Sequence, residues 1–563
     1  MAQDRHRTGD GRDAKLAKTA LIIRWNHAVT QKISPSQLKQ MLADGDELAL
    51  LDVREQGVFG QGHLLLASCA PLSQLELCIG DLVPQQHTRM VLVDDGGNGG
   101  SGDTLADTAA ERLRKWGYDN VGLLEGGIAG WQEDGNEVFS GINVPSKAFG
   151  EYIEVTYDTP RLTADKLKQR LDAGEPIVVL DSRPFDEFHR MSIPGGIDAP
   201  GAELVYRAHD MAPDPEIPIV VNCAGRTRSI IGAQSLINAG FPNPIAALEN
   251  GTMGWHLAGF DVVRGATSVA SLPSASGLEH ARGAAERVAT RFGVRRVSRE
   301  TLTEWRQDND KRCSFVLDVR SPSEYVIGHL AGSRNAPGGQ LVQATDEYIG
   351  VRNARVVLVD DTEVRAVMTA SWLIQMGWRD VHVLAGGLAG EDLTAEPHAA
   401  RAYGNPWPNT IDPTALNEIL GAGDTAIIDL DSSLVYRDGH IPGAYWSVRA
   451  RLEAQIDGLP SAPRIVVTSG DGRVASLAAC EVALLRPGAE VHALAGGTQN
   501  WKSRGLPLEA GLTLPLGPTD DVQYKPYDRE GGVEAAMQDY LKWEVALVEQ
   551  IARDGSLVFD RFD

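Results

Sequence analysis

The stretch Ile177-Val178-Val179-Leu180-Asp181-Ser182-Arg183 joins a short apolar run to an Asp-x-Arg phrase, and this combination decides the fold. A short apolar run of this kind predicts a buried strand. The phrase recurs after similar runs, as Leu51-Asp52-Val53-Arg54, Leu180-Asp181-Ser182-Arg183, Leu317-Asp318-Val319-Arg320 and, in altered form, Ile428-Asp429-Leu430-Asp431. Repetition at intervals of well over one hundred residues predicts four copies of one domain rather than one large sheet.

The same downstream pattern follows each phrase. A second apolar run leads into a loop and then a helical stretch; the four runs are Met90–Val93, Ile219–Asn222, Val356–Val359 and Ile465–Thr468. A third short run ends at a turn, Glu125-Gly126-Gly127, Glu249-Asn250-Gly251, Ala385-Gly386-Gly387 or Ala495-Gly496-Gly497. Strands that alternate with helices are typical of parallel sheets covered on both faces. The predicted class is therefore α/β.

Composition shifts place the boundaries between the copies. Segments rich in Pro, Gly, Ser and Ala separate the repeats, as expected of linkers. We expect an N-terminal extension over 1–33, domains over 34–143, 160–266, 295–396 and 410–512, and a helical tail over 518–563. Val533 to Ile551 predicts one amphipathic helix in that tail. Its apolar face, expected to pack on a neighbouring domain rather than to bind a partner, consists of Met537, Leu541, Val545 and Val548.

Charge and cysteine usage exclude several classes of protein. The formal net charge is −23, from 53 basic and 76 acidic residues, so general binding of nucleic acid or of an anionic membrane is disfavoured. Five cysteines without a Cys-x-x-Cys pair do not form a disulfide scaffold, and they indicate a reducing compartment. We find no apolar run long enough to span a membrane and no signal-peptide pattern, and we expect a cytoplasmic protein. No Cys/His cluster suggests zinc, and no cofactor is expected.

Four different residues occupy one position, directly after the second strand of each repeat: Asp94, Cys223, Asp360 and Ser469. Only the second repeat has a thiol there. The loops that begin at Asp94 and Asp360 are acidic and would repel an anion, whereas Ser469 offers a hydroxyl without an identifiable base. The sequence therefore predicts one chemically active domain and three inactive ones.

The loop that begins at Cys223 has the residues of an anion site, and it reads Cys223-Ala224-Gly225-Arg226-Thr227-Arg228-Ser229. Backbone N–H groups in a tight loop before a helix form a cradle for an anion, and the helix dipole adds positive potential. Gly225 is expected to adopt backbone angles closed to other residues. With the charges of Arg226 and Arg228, these features predict a lowered pKa for Cys223 and a reactive thiolate. The other four cysteines lack such neighbours and are expected to pack as small apolar residues.

Taken together, the repeated unit resembles the rhodanese domain. The resemblance rests on the Asp-x-Arg phrase, a Gly-His-Ile/Leu-x-Gly turn such as Gly439-His440-Ile441-Pro442-Gly443, the loop after the second strand and the closing glycine turn with its tryptophan. It implies four tandem rhodanese-like domains, each a parallel sheet flanked by helices, followed by the helical tail. It also implies sulfur transfer, with Cys223 as the catalytic residue. The expected substrate-binding residues are Ala224, Gly225, Arg226, Thr227, Arg228, Ser229 and Arg207.

The resemblance also implies the reaction. Cys223 would take the outer sulfur of an anionic donor, with thiosulfate preferred and glutathione persulfide as another candidate, and would hold it as a persulfide. Cyanide or a thiol would then accept the sulfur. We expect no nucleic-acid or membrane partner, and a homodimer stays open.

Two alternative functions remain. The related phosphatase loop has five residues between Cys and Arg, whereas Cys223 and Arg228 are separated by four, which disfavours phosphate or arsenate chemistry. A non-enzymatic scaffold, or a persulfide relay that docks on a partner, would also explain three inactive copies. The Asp181/Arg183 pair recurs in inactive repeats, so we interpret it as an ion pair that supports the fold. Trp255 is interpreted as core for the same reason.

Overall fold

The computed structural model describes residues 31–96, 104–307, 312–390, 392–399 and 401–562. The predicted N-terminal extension lies outside the described residues up to residue 30. Four five-stranded parallel sheets, one for each repeat, are present in this part of the chain. These four sheets have the same strand order, as in β1-β5-β4-β2-β3, and module 3 carries an additional antiparallel pair, β13 and β17. The prediction of four tandem α/β modules is confirmed.

The first two modules and the helix between them have matching elements. Module 1 contains β1 (Gln31–Ile33), α1 (Pro35–Ala43), β2 (Ala49–Asp52), α2 (Gln56–Phe59), β3 (Ser68–Cys69), α3 (Leu75–Leu82), β4 (Met90–Val93), α4 (Leu105–Lys115), β5 (Val121–Leu124) and α5 (Gly127–Glu133). The linker helix follows as α6 (Val144–Tyr157). Module 2 contains β6 (Arg161–Leu162), α7 (Ala164–Asp172), β7 (Val178–Asp181), α8 (Phe185–Arg190), β8 (Gly196–Asp198), α9 (Glu203–Met211), β9 (Ile219–Asn222), α10 (Thr227–Asn238), β10 (Ile245–Leu248) and α11 (Gly251–Leu257).

The second half of the chain repeats this plan. A long helix, α12 (Ala275–Phe292), precedes module 3. Module 3 contains β11 (Arg295–Val297), α13 (Arg299–Gln307), β12 (Ser314–Asp318), α14 (Pro322–Ile327), β13 (His329–Leu330), β14 (Arg334–Asn335), α15 (Gly338–Gln343), α16 (Thr345–Tyr348), β15 (Arg355–Val359), α17 (Val364–Gln375), β16 (Val381–Leu384) and β17 (Leu393–Thr394). Module 4 contains β18 (Thr410–Ile411), α18 (Pro413–Ile419), β19 (Thr425–Asp429), α19 (Ser433–Asp438), β20 (Tyr445–Trp446), α20 (Leu452–Gln455), β21 (Arg464–Thr468), α21 (Arg473–Leu485), β22 (Glu490–Leu494) and α22 (Gly497–Ser503). The C-terminal helix, α23, spans Val533–Asp554.

The Asp and Arg side chains of the Asp-x-Arg phrase form a buried ion pair at the end of β7 in module 2. In module 2, Arg183 donates Nε and Nη2 to the Asp181 carboxylate at 2.8 and 2.7 Å, and Nη2 also donates to the Met191 carbonyl. Modules 1 and 3 form the same pair, Asp52/Arg54 and Asp318/Arg320. The pair joins β7 to the turn that follows α8, because the Arg183 guanidinium donates both to Asp181 and to the Met191 carbonyl. Its interpretation as support for the fold is confirmed.

The closing glycine turn supports the loop that begins at Cys223, directly after β9. Gly251 has a φ of +54°, a left-handed angle that favours glycine, and a Cβ there would collide with the Cys223 carbonyl. Trp255 is buried and donates its indole N–H to the Asp261 carbonyl at 2.9 Å. The same indole bond, to a carbonyl six residues on, forms at Trp131 and Trp501. These tryptophans are core residues, as predicted.

The modules are packed closely against one another. One apolar core runs through modules 1, 2 and 3 and includes Phe149 and Ile153 of the linker helix. Module 3 contacts module 2 through Trp372, whose indole donates to Ser235 Oγ at 3.0 Å, and through Arg365, which binds Glu203 at 2.9 Å. Modules 2 and 3 therefore share a packed and hydrogen-bonded interface. No helix in the described part of the chain is both long and apolar enough to cross a lipid bilayer.

The C-terminal helix packs on the linker helix and on module 2, as predicted, but with a different face. Its buried residues are Ala536, Met537, Leu541, Glu544, Leu547 and Ile551. Val545, expected on the apolar side, is 53% exposed, and a glutamate is buried one position earlier. The prediction is confirmed for Met537 and Leu541 and wrong for Val545, because the buried face continues through Leu547 and Ile551 instead.

Candidate active site

The thiol lies where a strand, a short loop and a helix meet. Cys223 directly follows β9, which ends at Asn222, and α10 begins at Thr227. The Cys223 side chain is 2% exposed, and its sulfur lies 3.5 Å from Ser229 Oγ. Ser229 donates in turn to the Arg226 carbonyl at 2.8 Å. Because Ser229 is in the first turn of α10, the N-terminus of this helix lies beside the sulfur.

Backbone hydrogen bonds from α11 hold the loop in place. Thr252 N–H donates to the Cys223 carbonyl at 2.8 Å, and Met253 N–H donates to the Ala224 carbonyl at 2.9 Å. These two hydrogen bonds fix the backbone of the loop to the glycine turn at the start of α11. Ala224 is buried against Met253 and two residues of the C-terminal helix, Met537 and Leu541.

Gly225 is required for space rather than for an unusual backbone angle. Its φ is not positive, so the expectation of special angles is wrong. A Cβ at this position would lie 2.9 Å from Met253 Cε, 3.2 Å from Glu544 Oε2 and 3.5 Å from Tyr540 Cε1. Neighbouring side chains approach the loop closely because no side chain projects from residue 225.

Both predicted arginines are already paired with carboxylates. Arg226 is buried and donates to Glu151 at 2.6 and 2.7 Å and to Glu154 at 2.6 Å, both on the linker helix. Arg228 donates to Glu187 at 2.8 and 3.3 Å and to Gln340 Oε1 of module 3 at 3.5 Å. Their positive charge is therefore partly neutralised by the protein itself.

An electropositive cavity of about 220 Å³ lies beside the Arg228 pair. Lys525 approaches Glu187 at 3.6 Å from the segment that precedes the C-terminal helix. The cavity is lined by Arg183, Arg190, Arg264 and Lys525, and by the two carboxylates Asp186 and Glu187. It adjoins the loop through Glu187, the residue that binds Arg228.

The pKa of Cys223 is raised, not lowered. Burial disfavours the thiolate and is the dominant cause, while Arg228 and the hydrogen bonds from Ser229 oppose it and Glu544 adds to it. The expected lowering is wrong for this closed arrangement, because the cradle excludes water and its arginines are paired. Burial also raises the pKa of Cys78 and of Cys313 to about 12, without a cationic loop.

The remaining predicted residues divide into two groups. Thr227 lies on the loop and donates Oγ1 to Glu544 at 3.1 Å. Arg207 lies on α9 and donates to Glu203 at 2.6 Å and to the Ala270 carbonyl, so its described hydrogen bonds go to neither the loop nor its neighbours. The structure brings Cys223 to Ser229 together and leaves Arg207 apart.

Residues far along the chain complete the site, and the sequence analysis missed them. Glu544 and Tyr540 of the C-terminal helix cover the loop, and Tyr540 donates to Glu544 Oε1 at 3.1 Å. Glu151 and Glu154 close the opposite side. A glutamate on the otherwise apolar face of a predicted helix, at residue 544, was the one available signal.

In the three other modules, the side chain at the position of Cys223 accepts backbone N–H groups of its own module. The Asp94 carboxylate accepts the N–H groups of Gly96 and Ala106, each at 2.9 Å. The Asp360 carboxylate accepts those of Glu363 and Arg365, at 2.5 and 2.9 Å. Ser469 Oγ accepts the Ala475 N–H at 3.1 Å. In these modules an oxygen atom thus stands where the second module has the Cys223 sulfur, and it accepts backbone N–H groups.

Comparison with known proteins identifies relatives of both the repeats and the whole chain. The family model described as the rhodanese-like domain matches residues 34–134, 163–258, 298–390 and 412–504. The crystal structure of a thiosulfate sulfurtransferase from Pseudomonas aeruginosa is 47% identical, covers 95% of this chain and 100% of its own, and superposes with a TM-score of 0.88.

Curated relatives match single segments. The thiosulfate sulfurtransferase GlpE of Pseudomonas paraeruginosa is 32% identical over 74 residues, which are 13% of this chain and 64% of the relative. The HTH-type transcriptional regulator Rv0324 of Mycobacterium tuberculosis is 32% identical over 105 residues, which are 19% of this chain and 45% of the relative. The chain spans about half the length of the first curated relatives that it matches.

Proposed function

The chain belongs to the rhodanese family, four of whose domains it carries in tandem, and we propose that it is a sulfurtransferase in which Cys223 alone carries the sulfur. The thiosulfate sulfurtransferase of Pseudomonas aeruginosa, similar over almost the whole chain, supports this activity. The observation that carries the proposal is the contrast among four equivalent positions. One of them holds a thiol, whose sulfur lies 3.5 Å from Ser229 Oγ, and the others hold oxygen atoms that accept backbone N–H groups.

The first step loads the enzyme. The Cys223 thiolate attacks the outer sulfur of thiosulfate, a new S–S bond forms, and the original S–S bond breaks. Sulfite leaves with the electron pair of that bond, and Cys223 holds a persulfide anion. The N–H groups of the loop and the charge of Arg228 stabilise the developing anion.

The second step unloads it. Cyanide attacks the outer sulfur of the persulfide through carbon, thiocyanate leaves, and the Cys223 thiolate is regenerated. A thiol acceptor reacts at the same sulfur and gives a new persulfide. Neither step requires an external oxidant or reductant. The Cys223 sulfur therefore passes through the two half-reactions in turn.

Donor access requires movement, because Cys223 is buried and the adjacent Ala224 packs against Met253 and the C-terminal helix. A closed site favours the reaction once it is loaded, since exclusion of water protects a persulfide from side reactions. We place the donor between the loop and the C-terminal helix, with the electropositive cavity as its approach.

A donor and acceptor panel on the purified chain tests this function. Thiosulfate, mercaptopyruvate and glutathione persulfide are each paired with cyanide and with a thiol, and thiocyanate or product persulfide is measured. We expect turnover with thiosulfate that Cys223→Ser abolishes and that Cys313→Ser, a buried thiol outside the loop, retains. Inertness of the wild type with every pair would favour a scaffold or a relay that needs a partner.

A further inference from the structure

Glu544 is a buried carboxyl group that the reaction described above does not use. It projects from the C-terminal helix onto the Cys223 loop, and its side chain is 1% exposed. One oxygen, Oε1, accepts hydrogen bonds from Thr227 Oγ1 and Tyr540 Oη, both at 3.1 Å. The other, Oε2, is buried, has no hydrogen-bond partner among the residues that the structure describes, and lies against Gly225. A polar atom in this position is costly unless something pairs with it.

The groups around Glu544 leave it without a direct counter-ion. Lys147 on the linker helix favours the ionised form, but its ammonium donates to the Ile142 carbonyl and faces the Trp543 ring at 5.5 Å. The other groups that bear on this corner of the site are Glu151, Arg226, Arg228, Cys223 and Tyr540. Arg226 and Arg228 are paired with Glu151, Glu154 and Glu187.

We propose that Glu544 is a specificity-determining residue of the Cys223 site, which admits anionic sulfur donors while its carboxyl group is protonated and excludes them when it is ionised. This rests on the proposed function. When protonated, Oε2 is a hydrogen-bond donor without an acceptor, aimed at the loop where the oxygens of thiosulfate would lie. When ionised, the same atom places a negative charge beside a dianion in a site that excludes water.

Burial sets the pH at which this change occurs. It raises the pKa of Glu544 to about 7, against the opposing effects of Lys147, Thr227 and Tyr540. Above that pH, each further unit lowers the protonated fraction tenfold. The rate with an anionic donor should fall accordingly, whereas an uncharged reagent should not experience this repulsion.

Two experiments test the proposal. In the first, kcat/KM for thiosulfate is measured across pH for the wild type, Glu544→Gln and Glu549→Gln, the last an exposed glutamate on the same helix. The ratio of Glu544→Gln to wild type should rise about tenfold per pH unit above about 7, and Glu549→Gln should follow the wild type. Tyr540→Phe removes a hydrogen bond that favours the carboxylate, so the decline should shift to higher pH.

The second experiment does not depend on sulfur transfer. The Cys223 thiolate displaces iodide from neutral iodoacetamide or anionic iodoacetate, with formation of an S–C bond. At about pH 8.5, the ratio of the iodoacetate rate to the iodoacetamide rate should be about thirtyfold higher in Glu544→Gln than in the wild type. An equal ratio in the two proteins would overturn the proposal even if the wild type is a sulfurtransferase. A changed ratio in a protein inactive with every donor would instead contradict the proposed function alone.

Discussion

At the scale of single residues, burial and the charge of Arg228 have opposite effects on the pKa of Cys223. Cys223 needs its thiolate form to react, yet the side chain is almost inaccessible and its pKa is raised. Arg228 is the strongest group that favours the thiolate, and it is itself held by Glu187. We therefore expect reactivity that increases with pH and that depends on Arg228.

The first prediction concerns that arginine. Replacement of Arg228 by Gln should raise the pH midpoint of Cys223 alkylation by iodoacetamide by about one unit or more, because an opposite charge close to the sulfur is removed. Mass spectrometry of the labelled peptide as a function of pH gives the midpoint. Arg190→Gln is the matched control, because this side chain lines the neighbouring cavity but is half exposed. Equal midpoints for all three proteins would show that Arg228 does not tune the thiol.

At the scale of elements, the C-terminal helix acts as the cover of the loop. Met537 and Leu541 pack against Ala224 and Met253, while the residues on the outer side of the helix face solvent. The free energy that holds this helix down limits how often Cys223 meets a reagent, since a local opening exposes it without global unfolding.

Leu541→Ala should accelerate alkylation of Cys223 about tenfold or more. Loss of a buried leucine side chain weakens packing by about 2–5 kcal/mol, and each 1.4 kcal/mol is worth a factor of ten in the opening equilibrium. Val545→Ala is the matched control on the exposed face of the same helix and should leave the rate unchanged. If both variants react at the wild-type rate, the helix is not what limits access.

Module 4 lacks the arginine of the Asp-x-Arg ion pair, and this should make its stability depend on pH. Asp429 is buried with Oδ2 unpartnered, and burial raises its pKa. A carboxyl group with a raised pKa holds its proton longer in the folded state, so stability should fall as pH rises above the ordinary range of an aspartate.

Asp431→Arg should restore the ion pair seen in the other modules and remove this dependence. We expect it to stabilise module 4 near pH 8 by about 3 kcal/mol, because a buried charge gains its partner, and to have little effect near pH 5. Differential scanning calorimetry at the two pH values measures the effect, with the fully exposed Asp457→Arg as control. A melting temperature of the variant that is unchanged or lower near pH 8 would contradict this account.

At the scale of the whole molecule, the sequence predicts what is local and not what is distant. The strands, the Asp181/Arg183 pair and the order strand–Cys223–helix follow from short patterns that repeat within the chain. The residues that bind the loop cannot be predicted from such patterns. Glu544 binds Thr227 across 317 positions of sequence, and Glu151 binds Arg226 across 75. For the same reason the pKa of Cys223 could not be predicted from its basic neighbours. The carboxylates that neutralise them come from other elements.

This assembly gives modules 1, 3 and 4 a physical role. Module 3 contributes Gln340 to Arg228 and binds module 2 through Arg365 and Trp372. Module 4 is joined to module 1 by Arg449, which donates to both oxygens of Glu76 at 2.9 Å. The three modules that have no cysteine at the position of Cys223 thus pack against one another and against module 2.

The measurement that tests the central claim most directly is the intact mass of the chain after treatment with thiosulfate and removal of excess donor. The account predicts a gain of one sulfur atom, located at Cys223 by peptide mapping, lost on addition of cyanide and absent in Cys223→Ser. The four other cysteines should stay unmodified in the same sample. A wild-type protein that gains no sulfur from thiosulfate, mercaptopyruvate or glutathione persulfide, or a Cys223→Ser variant that gains as much as the wild type, would contradict it.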